Sequence, residues 1–313
     1  YLTKPISKNE LLARIRTHLQ LSKINIAYGR FVPREFLEFL QRESIVDVQL
    51  GDQVQQEMTI LFSDIRSFTT LSENMTPKEN FDFLNDYLKR VGPVIRKHNG
   101  FIDKYIGDAV MALFPKVPDE ALQAAIEMQH QVLRYNLDRE AEGYPSIAIG
   151  VGLHTGSLML GTIGEEQRME STVIADAVNL ASRMEGLTKV YGAGILISEQ
   201  TLSQLNEPEK YSHRFLGRVT VKGKKIAVGV FEIYVGESDS LKALKTQTRA
   251  EFERGVELFE QQKFAQAQRV FESVLENNEQ DTPARLYVER CQTAQMDRKD
   301  GVWEAVETVQ ERR

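Results

Sequence analysis

The order of strand-like and helical segments in the middle of the chain predicts an α+β fold. Apolar runs at 58–62 and 147–153 are typical of buried strands, and a tight apolar hairpin occupies 101–114. Apolar residues recur at helical spacing at 81–95 and again from about 119. Strand, helix, hairpin, helix, strand is the order of a ferredoxin-like sheet, so we expect that architecture here.

The first strand and the first helix have clear limits in the sequence. The strand ends at Asp64, and the helix follows Pro77 and stops at Asn99-Gly100, a pair that favours a left-handed turn. The helix should turn its apolar residues toward the core, and these are Phe81, Leu84, Leu88, Val91 and Ile95.

The second half of the sheet is predicted in the same way. The hairpin consists of 101–106 and 109–114, with Gly107 at the reversal, and a second helix begins near Asp119. The alternating strand at 147–153 should end at His154-Thr155-Gly156. Three further elements extend the domain, namely a helix at 177–184, a strand at 194–197 and strands within 214–234.

Composition narrows the class of protein. With 313 residues, 42% of them hydrophobic and 27% charged, the chain is expected to be soluble and to form about two domains. No run approaches the roughly 18 apolar residues that span a bilayer. The net charge of −6 argues against nucleic-acid binding. A single cysteine, Cys291, agrees with a cytoplasmic location, and the start at Tyr1 without a signal pattern predicts a piece of a longer protein.

Two aspartates stand where apolar strands end. Asp64 closes the first strand, and Asp108 follows Gly107 at the hairpin reversal, so we expect the two carboxylates to meet in space. Paired carboxylates that leave room for water and phosphate oxygens are what Mg²⁺ or Mn²⁺ needs to hold a polyphosphate. The pattern therefore predicts a divalent metal site for a polyphosphate substrate.

Four segments together resemble the catalytic domain of the class III nucleotidyl cyclases, above all the adenylyl cyclases of bacteria. They are FSDIRSFT at 62–69, DKYIGDAV at 103–110, TVIADAVNLASR at 172–183 and VKGK at 221–224. The resemblance covers roughly residues 50–235. It implies that the substrate is ATP, and that its ribose 3′-hydroxyl attacks the α-phosphorus while pyrophosphate leaves.

The resemblance also implies a role for the two aspartates. Asp64 and Asp108 would hold two Mg²⁺ or Mn²⁺ ions in each active site, with Ile65 as a further metal contact. One ion would lower the pKa of the attacking hydroxyl and the other would bind the β and γ phosphates. Backbone N–H groups at the start of the next helix, including those of Phe68 and Thr69, would help to bind phosphate.

Base selection is expected to depend on two further residues. Lys104 and Thr172 occupy the family's two purine-selecting positions, where guanylyl cyclases typically carry Glu and Cys. A lysine that donates to adenine N1 and a hydroxyl that accepts from N6 suit ATP. Many adenylyl cyclases have Asp in place of Thr172, so this chain matches the subset with a Lys and Thr pair.

Three basic or amide side chains complete the site that the resemblance implies. Asn179 and Arg183 lie four residues apart and share one helix face. Asn179 would orient the ribose, and Arg183 would neutralise charge on the α-phosphate with its forked donors. Lys222 would reach the terminal phosphates.

The family divides its site between two subunits, so the resemblance implies a homodimer with two composite active sites. The metal aspartates come from one subunit and the purine and transition-state residues from the other. Two alternatives stay open: a guanylyl cyclase of relaxed specificity, and a non-catalytic cyclase-like dimerisation module that relays signals through its helical tail.

The sequence outside the resemblance is expected to form three further parts. Residues 1–22 resemble the last strand and helix of a response-regulator receiver, which would place sensor domains upstream, or they are a plain helix. Residues 23–55 form a linker with a short helix, and 56–236 form the cyclase domain. The helical tail at 237–313 resembles one tetratricopeptide repeat that could bind a protein partner, or it is a helical hairpin packed on the cyclase or on a dimer mate.

Overall fold

The computed structural model describes residues 7–165, 167–220, 227–297 and 307–308. Its helices are α1 (Lys8–Tyr28), α2 (Arg34–Phe39), α3 (Phe68–Ser72), α4 (Pro77–Lys97), α5 (Pro118–Ala141), α6 (Asp176–Tyr191), α7 (Glu199–Ser203), α8 (Asp239–Glu260), α9 (Phe264–Asn277) and α10 (Thr282–Asp297). Its strands are β1 (Gln53–Ile65), β2 (Phe101–Ile106), β3 (Ala109–Phe114), β4 (Ile149–Glu165), β5 (Arg168–Ile174), β6 (Ile195–Ser198), β7 (His213–Thr220), β8 (Ala227–Ile233) and β9 (Glu307–Thr308). Within the described ranges, none of the helices has the length and apolar character required to cross a membrane.

The strands form one sheet in the order β2-β3-β1-β4-β6-β8-β7-β9, with β5 paired to β4. The first four strands and the helices α4 and α5 give the ferredoxin-like arrangement that the sequence predicts. Strands β6, β8 and β7 extend it beyond β4. The α+β prediction is therefore confirmed.

The chain divides into two compact units. One contains the residues up to 55 together with 159–174, and the other contains 56–158 and the residues from 175 onward. In the first unit, Arg42 forms an ion pair with Asp52 at 2.8 Å, and the amide of Thr162 donates to the carbonyl of Asp52. The helix α1 belongs to this unit and exposes its apolar side chains, including Leu12 and Leu19.

The end of β4 differs from the sequence prediction. The strand does not stop at His154-Thr155-Gly156 but continues to Glu165, and its outer half pairs antiparallel with β5 from Met159↔Ile174 to Glu165↔Arg168. The pairing supplies hydrogen-bond partners to a stretch whose glycines weaken its local strand signal.

The helix α4 shows why the predicted limits hold. Thr76 and Glu79 form a capping box: the Glu79 amide donates to the Thr76 hydroxyl, and the Thr76 amide donates to the Glu79 carboxylate. Asn99 takes the left-handed conformation, with φ of 59°, just beyond the helix. Phe81 is an exception to the predicted inward face, because it is 70% exposed while Phe83 is buried.

Two apolar cores lie on opposite faces of the sheet in the second unit. Along β6, Ile195 and Ile197 pack into the core that α4 and α5 cover, while Leu196 packs into the core shared with α6 and α8–α10. Alternate residues of a strand point to opposite faces, so β6 is buried on both. The core that contains Leu196 therefore includes residues on both sides of residue 237, since it extends into the C-terminal helices α8–α10.

A buried ionic cluster joins the C-terminal helices to the sheet. Arg214 of β7, with 0% exposure, donates to Glu232 of β8 and to Asp281, in each case at 2.6 Å. Lys245 of α8 donates to the other oxygen of Glu232 at 2.7 Å. We call Arg214, Glu232, Lys245 and Asp281 the anchor cluster. Charges this deeply buried need such partners, so the cluster fixes how the helices seat on the sheet.

Candidate active site

The ends of β1 and of the β2–β3 hairpin bring two carboxylates together. β1 pairs antiparallel with β3 up to Ser63↔Val110, so Asp64 in β1 arrives beside Asp108 in the hairpin turn. The amide of Ile65 donates to Asp108 Oδ2 at 3.2 Å. Gly107 supplies the turn with φ of 64°. The pairing of β1 with β3 thus brings the two aspartates together, as the sequence predicts.

The two carboxyl groups also shift each other's pKa in opposite directions. Burial, the hydrogen bond with Asp64 and its negative charge raise the pKa of Asp108 to about 7. Burial also acts on Asp64, but hydrogen bonds from Asp108 and Lys189 outweigh it and hold the pKa of Asp64 below its usual range. Two adjacent carboxyl groups cannot both ionise easily without a cation between them.

Three residues that the sequence interpretation did not single out surround this pair. Lys189 Nζ lies 3.0 Å from Asp64 Oδ2. Glu185 is one helical turn earlier on α6, and burial followed by the charge of Asp64 raises its pKa to about 7. Arg66 Nη2 donates to the carbonyl of Ala193 at 2.9 Å. The 185/189 spacing of Glu and Lys was visible in the sequence, but it is typical of any exposed helix.

We call Asp64, Asp108, Glu185, Lys189 and Arg66 the carboxylate corner. Two polar atoms in the carboxylate corner, Glu185 Oε1 and Arg66 Nη1, are buried without a hydrogen-bond partner among the residues that the structure describes. Burial lowers the pKa of Arg66, although Glu185 and Asp64 oppose that effect. The carboxylate corner therefore retains one acceptor and one donor that no described residue satisfies.

The donor set fits a divalent cation. The oxygens of Asp64 and Asp108 converge, and a cation between them would relieve the repulsion that raises the pKa of Asp108. In the described ranges, no group of three or more His, Cys, Asp or Glu side chains is arranged to hold a metal. The remaining ligands would have to be backbone, water or substrate oxygens, which is the coordination that Mg²⁺ commonly keeps.

The predicted purine residue Lys104 sits beside a β-bulge. The register of β2 against β3 shifts between Ile102 and Lys104, so that Asp103 is the extra residue and Lys104 faces Met111. Bulges re-aim the side chains that follow them. Lys104 Nζ lies 3.5 Å from Asp103 Oδ2, and its side chain is 34% exposed.

The predicted phosphate-binding turn follows Asp64 directly. Phe68 is the first residue of the short helix α3 and stacks on Phe83 with ring centroids 6.3 Å apart. Thr69 is exposed in the same turn of helix. Ser67 precedes them in the left-handed conformation, with φ of 53° and ψ of 32°, which serine seldom adopts.

The helix α6 carries Asn179 in its first turn and Arg183 at its middle. Asn179 is exposed. Arg183 is partly buried, and its Nη1 atom has no hydrogen-bond partner within the described part of the chain. Arg183 therefore retains a donor for an anion.

The last two predicted residues are placed less fully. Thr172 lies in β5 opposite Gly161 of β4 and is half-buried, within the first compact unit. Lys222 lies outside the described residues. The roles of both, like those of the other site residues, stay predictions.

Comparison with known proteins agrees with this architecture. Residues 50–235 match the family described as the adenylate and guanylate cyclase catalytic domain. The chain is similar to an adenylate cyclase of Anabaena cylindrica, with 45% identity over 234 residues that cover 72% of this chain and 47% of the relative. It therefore spans about half the length of that curated relative.

Two solved structures resemble the catalytic region equally well. The adenylyl cyclase CyaB from P. aeruginosa is 31% identical with a TM-score of 0.52, and the match covers 60% of this chain and 98% of that one. The guanylyl cyclase Cya2 is also 31% identical, with a TM-score of 0.51 and coverage of 59% and 95%. The fold alone thus does not separate the two substrates.

The chain belongs to the adenylate and guanylate cyclase catalytic domain family. Catalytic domains of this family are dimeric, bind nucleotides and depend on metal ions.

Proposed function

We propose that this chain is the catalytic region of an adenylyl cyclase that converts ATP to cyclic AMP and pyrophosphate. The ribose 3′-oxygen forms a bond to the α-phosphorus, the bond from that phosphorus to the β-bridging oxygen breaks, and the hydroxyl proton leaves to solvent. The observation that carries the proposal is the convergence of Asp64 and Asp108 in a member of this family. The higher identity to the Anabaena adenylate cyclase favours ATP over GTP.

Asp64 and Asp108 hold two divalent ions, Mg²⁺ or Mn²⁺, together with the backbone of Ile65. When bound, these ions supply positive charge at the attacking hydroxyl and along the polyphosphate. The carboxylates need only keep the ions in place, because phosphoryl transfer is accelerated chiefly by positioning and by stabilising charge.

Lys104 and Thr172 select adenine by donating to N1 and accepting from N6. Asn179 orients the ribose, and Arg183 offers its forked donors to the α-phosphate. Phe68, Thr69 and Lys222 complete the binding of the phosphates. The unpartnered Nη1 of Arg183 supports its part in this scheme.

The active protein is a homodimer with two composite sites. The geometry of α6 supports this, because its Lys189 end lies against Asp64 while Asn179 is ten residues away on another face. Ten residues of helix span about 15 Å, so Asn179 lies that far along the helix from the Lys189 that contacts Asp64 of the same subunit. A second subunit can bring Asn179 and Arg183 to it.

The proposal extends to the surroundings of the enzyme. It acts in the cytoplasm, where ATP is available, and responds to upstream receiver or sensor domains. The C-terminal helices offer a surface for a regulatory protein partner.

Product identification tests the proposal directly. The protein is incubated with ATP or with GTP in the presence of Mn²⁺, and the products are separated and identified by mass spectrometry. Cyclic AMP, formed at least tenfold faster than cyclic GMP, is expected. Preferential formation of cyclic GMP would establish the guanylyl alternative, and no cyclic product from a folded dimer would establish the non-catalytic module.

Subunit mixing tests the composite site. Asp64→Ala alone and Arg183→Ala alone should each be nearly inactive, since every site in either homodimer lacks one essential group. In a heterodimer one site collects both lesions and the other is intact. With random exchange, about half the dimers are mixed, so activity should recover to roughly a quarter of wild type.

A mixture that demonstrably exchanges subunits but stays inactive would mean that each site lies within one subunit. Exchange is verified separately with differently tagged copies.

A further inference from the structure

Lys189 forms an ion pair that the proposed reaction does not use. Its Nζ lies 3.0 Å from Asp64 Oδ2, with the two side chains 50% and 23% exposed. The amide of Ile65, the residue after Asp64, donates to Asp108 Oδ2 at 3.2 Å, so the second carboxylate lies beside this ion pair. The ammonium thus contacts one of the two oxygens that a metal at this position would need.

The fold holds this pair together. Arg66, two residues after Asp64, donates to the carbonyl of Ala193 just beyond the end of α6. Gly150 of β4 permits the close approach, because a Cβ there would lie 2.2 Å from Thr188 Oγ1 and 2.8 Å from Arg66 Nη2. These contacts hold the last turn of α6 against the end of β1. The position of the α6 backbone therefore places Lys189 next to Asp64.

We infer that Lys189 is the internal counter-ion of Asp64 in the metal-free protein, and that a divalent cation must displace its ammonium in order to bind. The inference rests on the proposed role of Asp64 as a metal ligand. Mg²⁺ binds carboxylate oxygen at about 2.0–2.1 Å. An ammonium 3.0 Å from the same oxygen would then lie close to a second positive charge, and the repulsion between the two cations favours loss of the ion pair. Lys189 therefore weakens metal binding and keeps the carboxylate corner ordered when the metal is absent.

Removing the ammonium should strengthen metal binding. In Lys189→Gln, no ammonium competes with the metal for Asp64, and none repels the metal. Mn²⁺ should bind roughly two- to fivefold more tightly, the range that corresponds to a half-exposed ion pair. Lys189→Arg keeps the charge and should bind Mn²⁺ as the wild type does.

The experiment measures free Mn²⁺ by electron paramagnetic resonance during titration of the purified protein, without nucleotide. Lys89→Gln is the matched control, because Lys89 pairs with Asp86 at the same distance of 3.0 Å but far out on the exposed face of α4. It should leave the affinity unchanged. Equal or weaker binding in folded Lys189→Gln than in wild type would overturn the inference.

Two further measurements separate the possible failures. Asp64→Asn should lose most of its Mn²⁺ affinity, and if it does not, the metal role of Asp64 fails rather than the counter-ion role of Lys189. In wild-type protein with ¹³C-dimethylated lysines, the signal absent from Lys189→Arg should shift on addition of Mg²⁺. An unshifted signal at saturating Mg²⁺ would show that the ammonium is not displaced, whether or not Lys189→Gln folds.

Discussion

The anchor cluster and the carboxylate corner are both groups of charged residues on the same sheet, yet they differ in whether their polar atoms find partners. In the anchor cluster, Arg214 donates to Glu232 and Asp281, and Lys245 donates to Glu232, at 2.6–3.1 Å. Arg214 is fully buried. Only Glu237 at its rim keeps a buried oxygen without a partner in the described residues, although its other oxygen accepts from Lys245.

In the carboxylate corner the balance is reversed. Glu185 and Arg66 each retain a buried atom without a partner in the described residues, and Asp108 and Glu185 have raised pKa values. Folded proteins satisfy almost all buried polar atoms, so unpartnered atoms beside two converging carboxylates fit a place that a ligand completes. The comparison shows two uses of charged residues in one sheet. The anchor cluster neutralises its charges within the chain and holds the fold together, whereas the carboxylate corner keeps unpaired groups that fit ligand binding.

The largest expected effect concerns Asp64 and Asp108, the two aspartates proposed to bind metal. Asp64→Asn and Asp108→Asn should each lower turnover by about a thousandfold or more, because an amide is a weak ligand for a hard cation. The fold should survive, since the amide oxygen of an asparagine at 108 can still accept from Ile65. Turnover and circular dichroism of the purified variants check both statements.

Asp86→Asn provides the control for these variants. Asp86 is an exposed partner of Lys89, so its change should leave turnover within about twofold. Near-native turnover of either active-site variant at saturating Mn²⁺ would remove that aspartate from the metal site.

The second prediction concerns the anchor cluster and measures stability. Arg214→Met leaves Glu232 and Asp281 buried beside a neutral side chain, which should destabilise the protein by about 3–5 kcal/mol. Arg218→Met is the matched control in the same strand, because Arg218 pairs with Glu199 on the surface, with exposures of 44% and 46%. It should cost less than about 1 kcal/mol.

Urea unfolding of both variants provides the comparison. If Arg214→Met lost no more stability than Arg218→Met, the anchor cluster would not secure the C-terminal helices.

Sequence patterns were sufficient where the determinants are local. The hairpin strands at 101–106 and 109–114 match β2 and β3 residue for residue, because two short apolar runs and Gly107 define them within 14 residues. The capping residues of α4 are local as well. The extension of β4 to Glu165 was missed, because it depends on pairing with β5 and interrupts its apolar pattern with glycines.

The ion pairs that the sequence did not predict join residues that are distant along the chain. Lys189 and Asp64 are separated by 125 positions, and Arg214 and Asp281 by 67. In the sequence, Lys189, Arg214 and Asp281 look like ordinary solvated residues, and only Asp64 stands out. The convergence of Asp64 and Asp108 could be predicted because both stand at strand ends, whereas Lys189 occupies an ordinary helical position.

The smallest expected effect concerns backbone strain in the two regions. Each contains a residue with positive φ: Gly217 next to the anchor cluster, with φ of 112°, and Ser67 next to the carboxylate corner, with φ of 53°. A Cβ at Gly217 would lie 2.3 Å from Tyr287 Oη, so glycine is required there, whereas a serine holds the corresponding strained position beside the active site.

Ser67→Gly should therefore stabilise the protein. The left-handed conformation costs an L-residue roughly 1–2 kcal/mol, and the greater freedom of glycine in the unfolded chain offsets part of that gain. A net gain of up to about 1 kcal/mol, or about 2 °C in the thermal midpoint, is expected. Ser67→Ala keeps the Cβ and should gain nothing, since the Ser67 side chain makes no capping hydrogen bond. Equal thermal midpoints for the Gly and Ala variants would mean that the conformation of Ser67 is not strained. The backbone would then not differ in strain between the anchor cluster and the carboxylate corner.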